Sequence, residues 1–431
     1  MQMRGHPEVA HAGASIQKFA GVAGLCSIAL FVLTASCSVD RAVGASRTAA
    51  PTVSTTLTSA TITIQTEVPT RANLSLSSDR SLALTVLDGL KTSHRITVHG
   101  LRPATTYNFR LRTMPVGGVE TTQAAATFST ATYGATAASA TVSGKNVLIN
   151  GSPFFAIVSY LHFVPGVFNE TCPTPQIIKS NVAAGVELLI GQTSRCDESD
   201  LPTAISKLHS VLDQGLWWAE DSQHGSYKGM DTELAPLPEH LADWSSLLYS
   251  GTLIGGPGIW ECSGNGHGAV RPAKAYSQIV TLAKTGPVEY AAGCLDAVHT
   301  PNETWLGIIA GARILVFYDD RASGLDAAGF TPQLDKIATL APAFLNGRGI
   351  PLRASSPSIR AAAWSFGGVN YVAAANITGR SVRASLGGLL ASTSADALWE
   401  NRRVRVKNGS LVDGFRPFEV HLYKVLPPSS S

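Results

Sequence analysis

The chain has 431 residues, of which 15% are charged and 45% hydrophobic, with 40 Gly and 23 Pro. That composition excludes a disordered polyampholyte and a coiled coil, and the length leaves room for about two to four domains. Thirty-three basic residues nearly balance thirty acidic ones, for a formal charge of +3. Such a balance carries no electrostatic footprint for a nucleic-acid partner.

Arg4 and Lys18 precede an uncharged run from Phe19 to Ala35. An apolar run of that length ending in small residues has the form of a secretory signal, and it falls short of the roughly 20 residues a membrane-spanning helix needs. It closes on Leu33-Thr34-Ala35-Ser36-Cys37, which resembles the lipobox of bacterial lipoproteins. The resemblance implies a lipidated Cys37 as the first mature residue and membrane attachment through it. Plain secretion, with cleavage after Ser36 or after Ala45, is the alternative. A secreted or cell-surface bacterial protein is therefore expected, with residues 1–37 as signal and 38–55 as a flexible spacer of small residues.

Cysteine usage agrees with export. Cys26 and Cys37 fall in the targeting segment, which leaves Cys172, Cys196, Cys262 and Cys294. An even number in an exported chain predicts two disulfides. The simplest pairing is Cys172–Cys196 with Cys262–Cys294. The absence of a Cys-x-x-Cys spacing argues against zinc.

From residue 56 to 132 apolar and polar residues alternate in short runs: Ala60–Thr66, Ala72–Leu76, His94–Val98, Tyr107–Thr113 and Ala126–Ser129. This pattern predicts half-buried strands of a small β-sandwich. The segment Gly100-Leu-Arg-Pro-Ala-Thr-Thr-Tyr107 resembles the signature of fibronectin type III modules. The resemblance implies that Leu101 plugs the sandwich, Pro103 sets a corner and the Tyr107 hydroxyl bonds back to the upstream backbone. Such a module is expected to act as a spacer or docking unit without chemistry of its own.

Beyond a second small-residue linker, residues 141 to 346 change texture. Apolar runs at Phe154–Ser159, Val186–Ile190, Gly215–Ala219, Thr252–Trp260, Val288–Ala292 and Ile314–Tyr318 alternate with helical spacing at Leu201–Leu212, Ala273–Ala283 and Glu303–Gly311. Strands alternating with helices predict βα units and a parallel sheet. Gly144-Lys-Asn-Val-Leu-Ile-Asn-Gly-Ser-Pro-Phe-Phe resembles the entry hairpin and first strand of (β/α)8-barrel glycoside hydrolases. Trp305-Leu-Gly-Ile-Ile-Ala-Gly-Ala-Arg-Ile-Leu-Val-Phe-Tyr resembles their last helix and eighth strand. About 200 residues lie between these marks, at the low edge for a full barrel. The central α/β unit is thus expected to be TIM-barrel-like and shortened. Strand-like runs at Ile359–Phe366, Val369–Asn376, Val382–Leu386, Arg402–Val406 and Phe418–Val425, with an Asn408-Gly409 hairpin signal, predict a C-terminal antiparallel β-sandwich over 350–427. It is similar to the accessory domain that follows many glycosidase barrels. Glu419 and His421 read there as surface residues of a strand.

Glycoside hydrolysis needs two carboxyls, one an acid and the other a nucleophile or base, and barrels carry such groups at the C-terminal ends of strands. Gly215-Leu-Trp-Trp-Ala-Glu-Asp supplies Glu220 or Asp221 as general acid, with Trp217 and Trp218 as stacking faces for sugar rings. Gly258-Ile-Trp-Glu-Cys-Ser-Gly-Asn-Gly-His-Gly supplies Glu261 as base or nucleophile, with Trp260 and His267 beside it. His162 and Asp319 follow other predicted strands and complete the candidate substrate-binding set. The resembling barrels end their seventh strand on a carboxylate, whereas here that position falls on Ala292 or Gly293 and Glu289 opens the strand. Two readings follow: a glycosidase acting on an extracellular polysaccharide, or an inactive carbohydrate-binding protein of the cell envelope. Neither requires a metal or an organic cofactor.

Overall fold

The computed structural model describes residues 50–78, 84–103, 105–131, 140–160, 181, 188–191, 217–220, 272–284, 286–292, 299–318, 331–389, 392 and 394–427. Most of its regular structure is β-strand.

The first strands are β1 (Thr52–Thr55), β2 (Ser59–Ser77), β3 (Leu84–His99), β4 (Thr106–Pro115) and β5 (Thr121–Ser129), all antiparallel. β1 lies inside the stretch expected as spacer. Its side chains are largely exposed, so composition carries no apolar alternation to reveal it. The two runs expected as separate strands at Ala60–Thr66 and Ala72–Leu76 are one bent strand. Register shifts between Gln65 and Ala72 let β2 change partners along its length. Its first half pairs with β1 and the end of β3, and its second half with the start of β3 and with β4. Glu67, Val68 and Pro69 sit exposed at the bend, where the missing N–H of a proline breaks no ladder bond.

A hairpin pair of β6 (Ala140–Ser143), β7 (Asn146–Ile149) and β8 (Ser152–Phe154) leads into the parallel strands β9 (Ala156–Tyr160), β10 (Leu188–Gly191), β11 (Trp217–Glu220), β12 (Glu289–Ala292) and β13 (Ile314–Tyr318). Ala156, Ile157 and Val158 are consecutive and fully buried, as strands covered on both faces must be. Two helices, α1 (Pro272–Leu282) and α2 (His299–Ala310), precede β12 and β13, and α3 (Thr331–Asn346) follows. Every residue of α2 from Asn302 to Ala310 is buried, because the helix lies between α1 and the C-terminal sheet. It ends on Gly311 at φ 108°, whose N–H bonds to the Gly307 carbonyl at 3.1 Å; a side chain at that φ would be strained. Arg313 is buried, its guanidinium donating to Asn146 Oδ1 (3.0 Å) and to the carbonyls of Ala312 (2.9 Å) and Phe344 (3.3 Å). Burial lowers its pKa to about 10.

The C-terminal strands are β14 (Arg348–Ile350), β15 (Arg353–Ala354), β16 (Ile359–Phe366), β17 (Val369–Asn376), β18 (Val382–Gly387), β19 (Ser394–Ala397), β20 (Arg402–Lys407), β21 (Ser410–Phe415) and β22 (Val420–Val425). They form one nine-stranded antiparallel array in the order β14-β16-β17-β22-β19-β20-β21-β18-β15. Only Pro351 and Leu352 separate the two edge strands. Two residues span at most about 7 Å, so the array must curl until its edges meet. Val372, Ala374, Leu386, Val404, Leu411 and Tyr423 fill the curl. The alternate residues of β17, Val369, Tyr371, Ala373 and Ala375, face a different core shared with α2, α3 and the N-terminal strands. The Asn408-Gly409 pair joins β20 to β21 with φ values of 51° and 68°, the two positive angles a type I′ turn requires.

The N-terminal module is docked against the rest of the chain. Leu87 N–H donates to the Gly367 carbonyl (2.9 Å), Ser78 Oγ to the Asp335 carbonyl (2.9 Å) and Asn346 Nδ2 to the His99 carbonyl (3.1 Å). The Tyr371 hydroxyl accepts the Thr85 N–H and donates to the Thr85 carbonyl at 3.0 Å. Tyr371→Phe strands both buried backbone groups. It is expected to cost about 2 kcal/mol, read as a lower urea midpoint at unchanged m-value.

Candidate functional site

In the parallel sheet the order is β11-β10-β9-β13-β12. Taken by position in the chain, these strands run third, second, first, fifth, fourth. The chain leaves across one edge and returns from the opposite edge toward its own first strand. An open doubly wound sheet would instead place the fourth strand beside the first. The described strands are therefore a half-barrel, with β11 and β12 as its edges.

All five strands are parallel, so their C-terminal ends share one rim. The rim consists of Tyr160, Gly191, Glu220, Ala292 and Tyr318. Gly191 stands opposite Glu220, Tyr160 opposite both Ile190 and Tyr318, and Ala292 opposite Phe317. At about 4.8 Å per strand, Glu220 lies roughly 10 Å along the sheet from Tyr160. Glu289 opens β12 at the other end, opposite Ile314.

Of the residues singled out by sequence, Trp217, Trp218 and Glu220 all lie in β11, with Glu220 as its last residue. Asp221, Glu261, Trp260, His162, His267 and Asp319 lie outside the described residues, as do Cys37, Cys172, Cys196, Cys262 and Cys294. Among the described residues no three His, Cys, Asp or Glu side chains converge as metal ligands would.

Sequence reasoning missed a set of titratable groups in the C-terminal sheet. His421 was expected on a surface; its side chain is 6% exposed. Its Nδ1 lies 2.7 Å from Glu400 Oε1, and its Nε2 lies 3.1 Å from the Gly414 carbonyl and 3.3 Å from Glu419 Oε2. Arg402 bridges Glu400 and Asp413, at 2.7 Å to each, and Tyr423 donates to Asp413 at 2.8 Å. The surface expectation fails because His421 shares its face of β22 with Tyr423 and Val425, which fill the curl, and its ring lies 4.8 Å from that of Phe415. An Arg402, Asp413, Glu419, His421 grouping of both signs on adjacent hairpins was the available signal.

Burial pulls the His421 pKa down, but the hydrogen bond and charge of Glu400, with the charges of Glu419 and Asp413, more than offset it and leave it above the ordinary 6.5. Burial raises Glu400 and Asp413, yet Glu400's bonds to His421 and Arg402 hold it below 4.5, and Asp413's bonds to Arg402 and Tyr423 hold it below 3.8. A raised histidine stabilises the fold fully below its unfolded pKa and loses that contribution as pH climbs through the folded one; depressed carboxylates do the reverse. Melting temperature is expected to be highest between the ordinary values of 4.5 and 6.5 and to fall by a few degrees above and below. His421→Gln should flatten the alkaline limb and leave the acid limb in place, as scanning calorimetry across pH would show.

No family model and no curated protein matches the chain. Glycoside hydrolases are among the solved structures that resemble it. A Bacteroides fragilis protein provisionally assigned as an α-galactosidase/melibiase matches with a TM-score of 0.42 and 11% identity, over 87% of this chain and 97% of that one. A second, described as a glycoside hydrolase, matches at 0.40 and 12% identity over 68% of this chain and 97% of its own. The α-galactosidase I of Mortierella vinacea matches at 0.36 and 9% identity, over 59% of this chain and 91% of that one.

Proposed function

We propose that the chain is an exported glycosidase that hydrolyses an extracellular polysaccharide in a barrel spanning residues 141–346. The observation that carries this reading is the strand order of the half-barrel, which ends β11 on Glu220 at the rim shared with Tyr160 and Tyr318. Glu220, or Asp221 after it, is the general acid that protonates the leaving oxygen. Glu261 is the base or nucleophile, and Trp217, Trp218 and Trp260 are stacking faces, with His162, His267 and Asp319 on substrate hydroxyls. Cys172–Cys196 and Cys262–Cys294 tie down the connecting segments, and Cys37 is the site of lipid attachment. The N-terminal strands are a fibronectin type III-like module. Supporting this, the Tyr107 hydroxyl accepts the Arg102 N–H at 2.9 Å, the corner bond such modules require.

One observation favours a second reading. β12 ends on Ala291 and Ala292, so the end of the strand expected to hold a nucleophile has no carboxylate. In that reading the rim binds sugar without cleaving it. Reducing-end release from a polysaccharide panel, compared between wild type, Glu220→Gln and Glu261→Gln, tests the pair. Binding without release that Glu220→Gln weakens would establish the second reading, and release that survives both substitutions would refute the assignment of both carboxyls.

A further inference from the structure

Between α2, α3 and the C-terminal sheet lies a cavity of about 630 Å3, within the range that small-molecule sites occupy. Trp305 and Lys336 reach it from the helices. Trp399 and Glu400 reach it from the segment between β19 and β20, and Phe418 and Glu419 from the segment between β21 and β22. None of these elements forms the rim of the parallel strands.

Both segments are held in a backbone conformation that bulky side chains avoid: Trp399 at φ 62° and Phe418 at φ 55°. Such residues persist only where the surroundings over-determine them, and they concentrate at ligand sites. Here the surroundings are explicit. Leu398 N–H donates to the Leu422 carbonyl (2.7 Å) and Phe418 N–H to the Thr378 carbonyl (3.2 Å). Asn302 of α2 donates to the Phe418 carbonyl at 2.9 Å. Two half-buried aromatic residues thereby line one cavity from separate segments, with Lys336 Nζ 5.9 Å over the Trp399 ring and the His299 ring 4.8 Å from that of Phe418.

The polar part of the wall is equally fixed. Arg402 is held by Glu400 and Asp413, and Arg416 by Glu419 at 3.2 Å. Lys336, Arg402 and Arg416 stand against Glu400, Asp413 and Glu419, so apart from His421 the charges balance and the wall presents oriented donors and acceptors. Such a wall suits a neutral polyhydroxylated ring better than a phosphate or a carboxylate. A second concavity of about 580 Å3 reaches Glu400, Arg402 and His421 from another side, so the same groups are open to an extended ligand.

We infer that this cavity is a second saccharide-binding site, in which neutral sugar rings lie against Trp399 and Phe418 with their hydroxyls on Glu400, Arg402 and Glu419. It takes from the proposed function only the class of ligand and does not depend on Glu220. The test is calorimetric titration of the full chain with maltotriose, xylotriose and galactobiose, with glucuronic acid and inorganic phosphate as anionic comparators. At least one neutral probe should bind wild type and Glu220→Gln alike. Trp399→Gly, which removes the ring and relieves the positive φ, should weaken it at least tenfold. Arg416→Ala, whose side chain is 84% exposed and outside the core, should weaken it about threefold with an unchanged melting temperature. No neutral binding, binding of the anions alone, or binding untouched by Arg416→Ala and by a folded Trp399→Gly would each overturn the inference. Absent hydrolysis with this pattern intact would refute the glycosidase and leave the second site standing.

Discussion

Glu220→Gln is expected to lower reducing-end release by about 10²–10⁴-fold, the contribution of a positioned general acid, while substrate affinity changes little. Glu220 ends a parallel strand on the rim where all five described strands terminate. The substituted amide keeps the shape and the hydrogen-bonding reach of the acid but has no proton to give. The measurement is kcat and KM on whichever polysaccharide the wild type cleaves, together with the pH profile. Loss of kcat with the alkaline limb removed is the signature of a lost acid. A change in KM alone would make Glu220 a binding residue and would move the acid to Asp221, where Asp221→Asn is the corresponding test.

The second large effect belongs to Tyr107→Phe. The Tyr107 side chain is fully buried, and its hydroxyl accepts the Arg102 N–H at 2.9 Å. It also donates, at 3.5 Å, to the carbonyl of Ala338 in α3. That carbonyl needs an outside donor because the residue four positions on is Pro342, inside the helix and without an N–H. Phenylalanine would leave a buried N–H and a buried carbonyl unpaired at once, at about 1–3 kcal/mol each. A loss of about 3 kcal/mol in urea unfolding is expected. The double variant Tyr107→Phe with Pro342→Ala should recover part of it, since alanine restores the helical bond to Ala338. Failure of the second substitution to recover any stability would show that the hydroxyl and the helix carbonyl are not coupled.

These cases divide what was legible in advance from what was not. The Tyr107 hydroxyl bond to Arg102 spans five residues and follows from a local motif. Its bond to Ala338 spans 231 and follows from docking. Likewise β16, β17 and β13 occupy the expected Ile359–Phe366, Val369–Asn376 and Ile314–Tyr318, because period-two alternation and continuous apolar runs are local signals of one-sided and two-sided burial. The continuation of β2 through Pro69 was not legible, since a proline flanked by exposed residues reads as a break unless the partner strands are known to change there. At the rim, the sequence placed a carboxylate at a strand end. Which strand ends are neighbours was open until the pairing was known.

By itself, then, the amino-acid order located many of the strands, though not β1, the continuity of β2 or α3, and it marked where Asn408-Gly409 turns the chain and that a strand closes on Glu220. Those outcomes depend on steric and hydrophobic periods read over a few residues. Only the tertiary structure decided the third-second-first-fifth-fourth strand order, the curl of nine strands into one array, the docking of the N-terminal module and the burial of His421. Each of these is set by contacts between residues far apart in the chain, whose free energy depends on which surfaces meet rather than on any local pattern.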